Sequence, residues 1–175
     1  MTTFSLNPTG ERTLLLMRHA EADWGLDDFN RPLTQRGSQQ AQQAGNWLAE
    51  QGLLPEMIIS SAALRTRQTT VWLSHSLGEK APTASLDERL YNAPASSLLS
   101  ALNRVPAGVQ SLLLIAHLPG IQDLALQLAH PESDYEALMD ASYAYSPSSL
   151  ACFSYGGDWA SLWEGEARLR AFVSF

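Results

Sequence analysis

Cysteine is almost missing: Cys152 is the only one in 175 residues. No internal disulfide framework can form, and zinc sites built on paired thiolates are excluded. Basic residues are also scarce, 11 Lys and Arg against 18 Asp and Glu, which leaves a net charge of −7. That balance argues against nucleic acid or an anionic membrane as the main partner, although two arginines in a cleft still dominate the potential locally. No apolar run is long enough to span a bilayer. The amino terminus lacks a basic region followed by an apolar core, so no signal peptide is expected and the cytoplasm is the default location. What is present, 45% hydrophobic and 17% charged residues, suits one globular domain over residues 1–175 with a sizeable core. Residues 1–11 are expected to form a surface arm.

The chain is organised around Thr13-Leu14-Leu15-Leu16-Met17-Arg18-His19-Ala20-Glu21-Ala22. Its unbroken apolar run reads as a buried strand of a parallel sheet. It stops abruptly at Arg18-His19. In open α/β sheets, ligands bind in the crevice beyond the carboxyl ends of the strands. Arginine offers a planar fork of donors for phosphate or carboxylate, and histidine can act as nucleophile or acid–base group near neutral pH. By itself, Arg-His is equally a strand leaving its sheet through polar residues.

The rest of the chain repeats the pattern. A polar loop, residues 21–37, carries Trp24, Phe29 and Arg31. Thr34 is a plausible N-cap for a helix with Ala41, Ala44, Gly45 and Leu48 on one face and Gly52 as its stop. A second strand, Met57–Ser60, runs into a helix opened by Ser61–Thr70, which places Arg65 within about its first turn and ends near Gly78. Such a helix start favours an anion. Residues 83–91 read as a weak strand or extended segment containing Glu88. Pro94 to Val105 is amphipathic at helical spacing. Ser111 to His117 is the clearest strand, again ending in histidine, and Ile121, Leu124, Ala125 and Leu128 mark another helix. Residues 130–147 read as an irregular connection. A terminal hairpin is expected around Gly156-Gly157. Alternating strands and helices predict an α/β fold with a mostly parallel central sheet and an antiparallel C-terminal hairpin.

In a parallel sheet the strand ends emerge on one side. That brings Arg18, His19, Arg65 and His117 together from distant parts of the chain. No carboxylate cluster, thiol pair or His-x-His spacing accompanies them, so no metal or other cofactor is expected. Two guanidiniums and two imidazoles describe a receptor for a phosphate dianion. A neutral imidazole there can attack phosphorus and form a phosphohistidine that water then hydrolyses. The flanking arginines are expected to lower the pKa of His19. His75 and His130 read as structural or exposed, Trp24 and Trp47 as packing residues, with the pocket wall as the alternative place for Trp24, and Arg67 as part of a solvated helix face. Arg31 and Arg36 add positive potential.

The chain resembles the histidine phosphatase superfamily, and within it the small SixA-type phosphohistidine phosphatases. The resemblance rests on Leu15-Leu-Met-Arg-His-Ala-Glu21, Arg31-Pro-Leu-Thr-Gln-Arg-Gly37, Ser60-Ser-Ala-Ala-Leu-Arg-Thr-Arg-Gln-Thr69 and Leu113-Leu-Ile-Ala-His-Leu-Pro-Gly120, in the family's order. It implies a three-layer, phosphoglycerate mutase-like α/β/α fold. It also implies His19 as phospho-accepting histidine, Arg18 and Arg65 as phosphate-binding arginines and His117 as the second pocket histidine. The sequence departs from the family's commonest pattern in having Ala20 after His19 and Leu118 after His117. Many members use a carboxylate proton donor between the second arginine and second histidine, and Glu88 is the best-placed candidate.

Chain length bears on substrate. Mutase-like members build a lid from insertions in the region equivalent to Leu90–Ala107, which here is barely longer than one helix. An open site suited to a phosphorylated protein side chain, phosphohistidine above all, is therefore expected, with inorganic phosphate as product. A small phosphate ester is the alternative substrate. A non-catalytic phosphate-binding module is the alternative of a different class. A mutase is disfavoured, because returning phosphate to a bound product requires shielding from water. The sequence is silent on oligomeric state.

Overall fold

The computed structural model describes residues 10–175. The expected arm lies mostly outside them. Glu11 itself is half-buried, 3.7 Å from the guanidinium of Arg170. Strands β1 (Arg12–Arg18), β2 (Met57–Ser61), β3 (Ser85–Asp87), β4 (Ser111–Ala116), β5 (Leu150–Tyr155) and β6 (Arg168–Val173) form a sheet in the order β3-β2-β4-β1-β5-β6. The first four of that order run parallel, while β5 is antiparallel to β1 and to β6. The sheet is thus mostly parallel with an antiparallel end, as the alternation of apolar runs predicts.

Five α-helices cover it: α1 (Gln35–Glu50), α2 (Leu64–Leu77), α3 (Ala95–Asn103), α4 (Gly120–Leu128) and α5 (Tyr135–Tyr143). Successive residues of a strand face opposite sides, so β1 serves two cores. Leu14 and Leu16 pack with α3, α4 and α5, whereas Leu15 and Met17 pack with α1 and α2. This is why β1 and β4 read as continuous apolar runs rather than alternating ones. Each fully buried leucine contributes about 2 kcal/mol of hydrophobic stabilisation.

Two local expectations change. The Gly156-Gly157 pair is not a tight turn: β5 and β6 pair as expected but are joined by residues 156–167, which include a short 3₁₀ helix, Trp159–Ser161. The excursion is held by Trp159, fully buried, whose indole N–H donates to the Val109 carbonyl at 2.8 Å. The connection over residues 130–147 contains α5, capped by Asp134, whose side chain accepts from the Ala137 N–H. Its buried face is only Ala137 and Ala141, too small a stripe to stand out as periodicity. The weak strand expected within residues 83–91 is present as the short edge strand β3, and Glu88 falls just after it in a 3₁₀ turn, Glu88–Leu90.

Candidate active site

The parallel arrangement does what the strand ends require. At the end of β1, the His19 N–H donates to the Ala116 carbonyl of β4 at 3.1 Å, and the His19 carbonyl accepts from Ser148 N–H at 3.0 Å. Ala20 N–H donates to Thr69 Oγ1 on α2 at 3.0 Å. His19 is thereby tied on both flanks to the sheet and to α2. His117 follows β4 directly, and the ring centroids of His19 and His117 lie 5.3 Å apart. Arg65, in the first turn of α2, is buried.

These groups line one cavity of about 300 Å³, with Arg18, His19, Arg65 and His117 joined by Arg31, Asp28, Asn92 and Leu118. Glu88 does not reach it. Glu88 is exposed in the 3₁₀ turn after β3 and lines a separate hollow with Arg89 and Arg104. His75 is exposed beside Trp72, and His130 is half-buried, its Nδ1 accepting from Glu132 N–H. Arg67 is half-buried. Trp47 packs edge-on against Phe175, as a packing residue should, while Trp24 is 90% exposed and lies under the Arg31 guanidinium.

His19 Nδ1 sits 2.7 Å from the Ala20 carbonyl oxygen. A carbonyl only accepts, so Nδ1 carries the proton and Nε2 keeps its lone pair. Burial, more than the arginines, pushes the His19 pKa down to about 3, with Arg18, Arg65 and Arg31 adding to the shift. The ring is therefore neutral at physiological pH. His117 is likewise lowered to about 3, by burial first and then by His19 and Arg65. Its Nε2 lies 2.7 Å from Ser61 Oγ, and its Nδ1 is buried without a partner. Ser61 Oγ also accepts from Ala63 N–H at 3.3 Å; with its own hydroxyl proton donated to His117 Nε2, the ring proton sits on Nδ1.

Asp28 is the group that sequence reasoning missed. It lies in a short 3₁₀ helix, Asp28–Asn30, inside the polar loop. Its backbone carbonyl accepts from Arg65 Nη1 at 2.7 Å, and Oδ2 accepts from Arg65 Nη2 at 3.2 Å. Oδ1 accepts from Arg31 Nη1 at 3.0 Å, and the Tyr91 hydroxyl donates to Oδ2. Tyr91, then Arg31 and Arg65, hold the Asp28 carboxyl well below the usual carboxylate range. Arg18 is steadied from the other side, where Nη1 donates to the Tyr145 carbonyl at 3.0 Å while its Nε has no partner.

The histidine phosphatase superfamily (branch 1) model matches residues 14–94, the stretch that supplies Arg18, His19, Asp28, Arg31 and Arg65. A SixA phosphohistidine phosphatase structure from Nakamurella multipartitia is similar over 95% of this chain and 98% of its own, with TM-score 0.81 and 30% identity. The chain belongs to the histidine phosphatase superfamily. The structure of the protein histidine phosphatase SixA complexed with tungstate is also similar, with TM-score 0.70 and 25% identity over 93% of this chain and 96% of that one. An uncharacterized protein of Mycobacterium tuberculosis is 35% identical over 159 residues, 89% of this chain and 98% of the relative. Superfamily membership and the SixA-like fold support a phosphatase acting on a phosphorylated substrate.

Proposed function

We propose that this chain is a single-domain phosphohistidine phosphatase that removes the phosphoryl group from a protein side chain through a covalent intermediate on His19. Arg18, Arg31 and Arg65 hold the non-bridging oxygens and stabilise charge as it develops. His117 donates from Nδ1 to the phosphoryl group, the role left for its unpartnered N–H. No metal or other cofactor enters this scheme.

In the first step the His19 Nε2 lone pair forms a bond to phosphorus. The bond from phosphorus to the substrate nitrogen breaks, and its electron pair returns to that nitrogen. In the second step water attacks phosphorus, the bond to His19 breaks, and inorganic phosphate leaves while the water proton passes to solvent or phosphate. His19 departs as a neutral ring because Nδ1 keeps its proton throughout, donated in a hydrogen bond to the Ala20 carbonyl.

The observation that carries the phosphohistidine reading is the set of donors from Arg31, Arg65 and Tyr91 on Asp28, which favours its ionised form in the cavity wall. An alkoxide leaving group needs a proton donor, and an ionised carboxylate supplies none. A phosphoryl-imidazolium leaves as neutral imidazole and needs none. The short α3 region, with no long insertion over the site, suits a substrate as bulky as a protein. Comparing kcat/KM on a phosphohistidine-bearing protein with a panel of small phosphate esters tests this. A large preference for the phosphoprotein is expected, and a many-fold preference for a sugar phosphate overturns it.

A further inference from the structure

A carboxylate inside a phosphate receptor repels the ligand the arginines attract. Asp28 is nevertheless built into this one, with three donors on its carboxylate, from Arg31, Arg65 and Tyr91, and a fourth, from Arg65, on its backbone carbonyl. A purely structural tie has no need to face the cavity, yet Asp28 lines it and keeps 45% of its side chain exposed. The nucleophile lies at the other extreme, with His19 only 7% exposed. In-line displacement sends the leaving group away from the nucleophile, which here means from the buried floor toward the mouth. Asp28, far more exposed than His19 on the wall of the same cavity, lies nearer that mouth.

We propose that Asp28 recognises the leaving group, accepting the N–H of the substrate's phosphorylated imidazolium and so selecting phosphoryl groups carried on protonated nitrogen. The inference rests on the phosphohistidine reading and gives it a residue. A carboxylate has room for about four hydrogen bonds; Arg31, Arg65 and Tyr91 fill three, which leaves one place on Oδ1 for the substrate N–H. An N–H bonded to a carboxylate stays protonated, and a protonated ring is the one that leaves with its electron pair and no further help. Chemically the device copies the floor of the site: the Ala20 carbonyl keeps the far proton on His19, and Asp28 keeps it on the substrate ring. The charged and titratable groups around that ring are Arg18 from β1, Arg31 from the same loop, Arg65 from α2, Tyr91, and His19 and His117. The phosphoryl dianion offsets the guanidiniums, which leaves Asp28 as the anion available to the ring. An ester presents no such proton, so to an ester Asp28 is only a support for the arginines.

The test is a ratio. Wild-type protein, Asp28→Asn and Asp28→Glu are assayed on free phosphohistidine and on p-nitrophenyl phosphate. Loosening of Arg31 and Arg65 lowers kcat/KM on both substrates. The proposal expects Asp28→Asn to lower it on phosphohistidine at least ten-fold more than on the ester, with Asp28→Glu recovering part of that difference. Equal losses overturn it and reduce Asp28 to a positioning residue for the arginines. Should the variants fail to fold, wild-type protein decides. Imidazolium chloride at pH 6 should tighten binding of inorganic phosphate several-fold relative to sodium chloride at equal ionic strength, and no tightening overturns the proposal. Neither result depends on the wild-type preference for phosphohistidine proteins over small esters, so the failure of that broader reading shows separately.

Discussion

A methyl group on Gly37 would place its carbon 2.0 Å from the carbonyl oxygen of Glu21. The first turn of α1 therefore lies directly against the chain two residues past His19. Thr34 fastens the same contact, its hydroxyl accepting from Gly37 N–H and donating to the Glu21 carboxylate. Since the obstacle is backbone, Gly37→Ala forces the helix and the strand exit apart. The expected cost is about 1–3 kcal/mol in denaturant unfolding. Turnover of p-nitrophenyl phosphate should fall further than the lost stability explains, because His19 moves with Glu21.

Replacing His19 by Ala removes the group assigned to attack phosphorus. A loss of kcat/KM of about a thousand-fold is expected, in line with removal of a covalent nucleophile. Brief exposure to a labelled phosphodonor should mark the wild-type protein at His19 and leave the variant unmarked. Equal turnover by the two proteins would show that His19 is not the nucleophile.

Two buried neutral imidazoles make stability depend on pH. His19 and His117 sit at about 3 in the folded chain and near 6.5 when unfolded. Between those values the unfolded chain binds more protons, so stability is lost as pH falls below about 6.5. Each imidazole contributes a slope of about 1.4 kcal/mol per pH unit. Urea unfolding at pH 6.5 and pH 5 should show the decline, and His117→Gln should reduce it by about half. By the same shift, kcat/KM on p-nitrophenyl phosphate should gain no acid limb near 6.5 from His19.

Arg65→Lys keeps the charge and loses the fork. Arg65 uses separate nitrogens for the Asp28 carbonyl and carboxylate, which one ammonium on a flexible stem cannot reproduce while also holding phosphate. A fall of about a hundred-fold in kcat/KM is expected, with most of it surviving at high substrate concentration as reduced kcat.

Glu88→Gln should leave kcat/KM within about two-fold on both phosphohistidine protein and p-nitrophenyl phosphate, since Glu88 lies outside the cavity. A loss confined to the ester would restore Glu88 as a proton donor.

Most of the architecture was legible because strand ends in a parallel sheet share a side. Arg18, His19, Arg65 and His117 meet for that reason, and their apolar runs announce the strands. Asp28 was not legible. Its neighbours Asp23 and Asp27 are exposed, and nothing local separates the acidic residue that turns inward from those that stay out. Its partners come from α2 and from Tyr91, far along the chain, so only tertiary structure could select it. Arg31 was half-legible, as added positive potential rather than as a cavity wall. The pKa of His19 was expected to fall through its arginines, whereas burial leads, a quantity that depends on packing above the ring. Glu88 misled because position in the chain was its only credential.

The Arg18 side chain rests on the Tyr145 carbonyl, the Tyr145 hydroxyl donates to the Leu16 carbonyl, and Ser148 N–H holds the His19 carbonyl. All of these props belong to the segment entering β5, which contributes no wall to the cavity. A protein shortened to its first 130 residues would keep every chemical group of the site and lose the buttress behind it. The final quarter of the polypeptide is thus a mechanical part of the catalyst, silent in any inventory of reactive side chains.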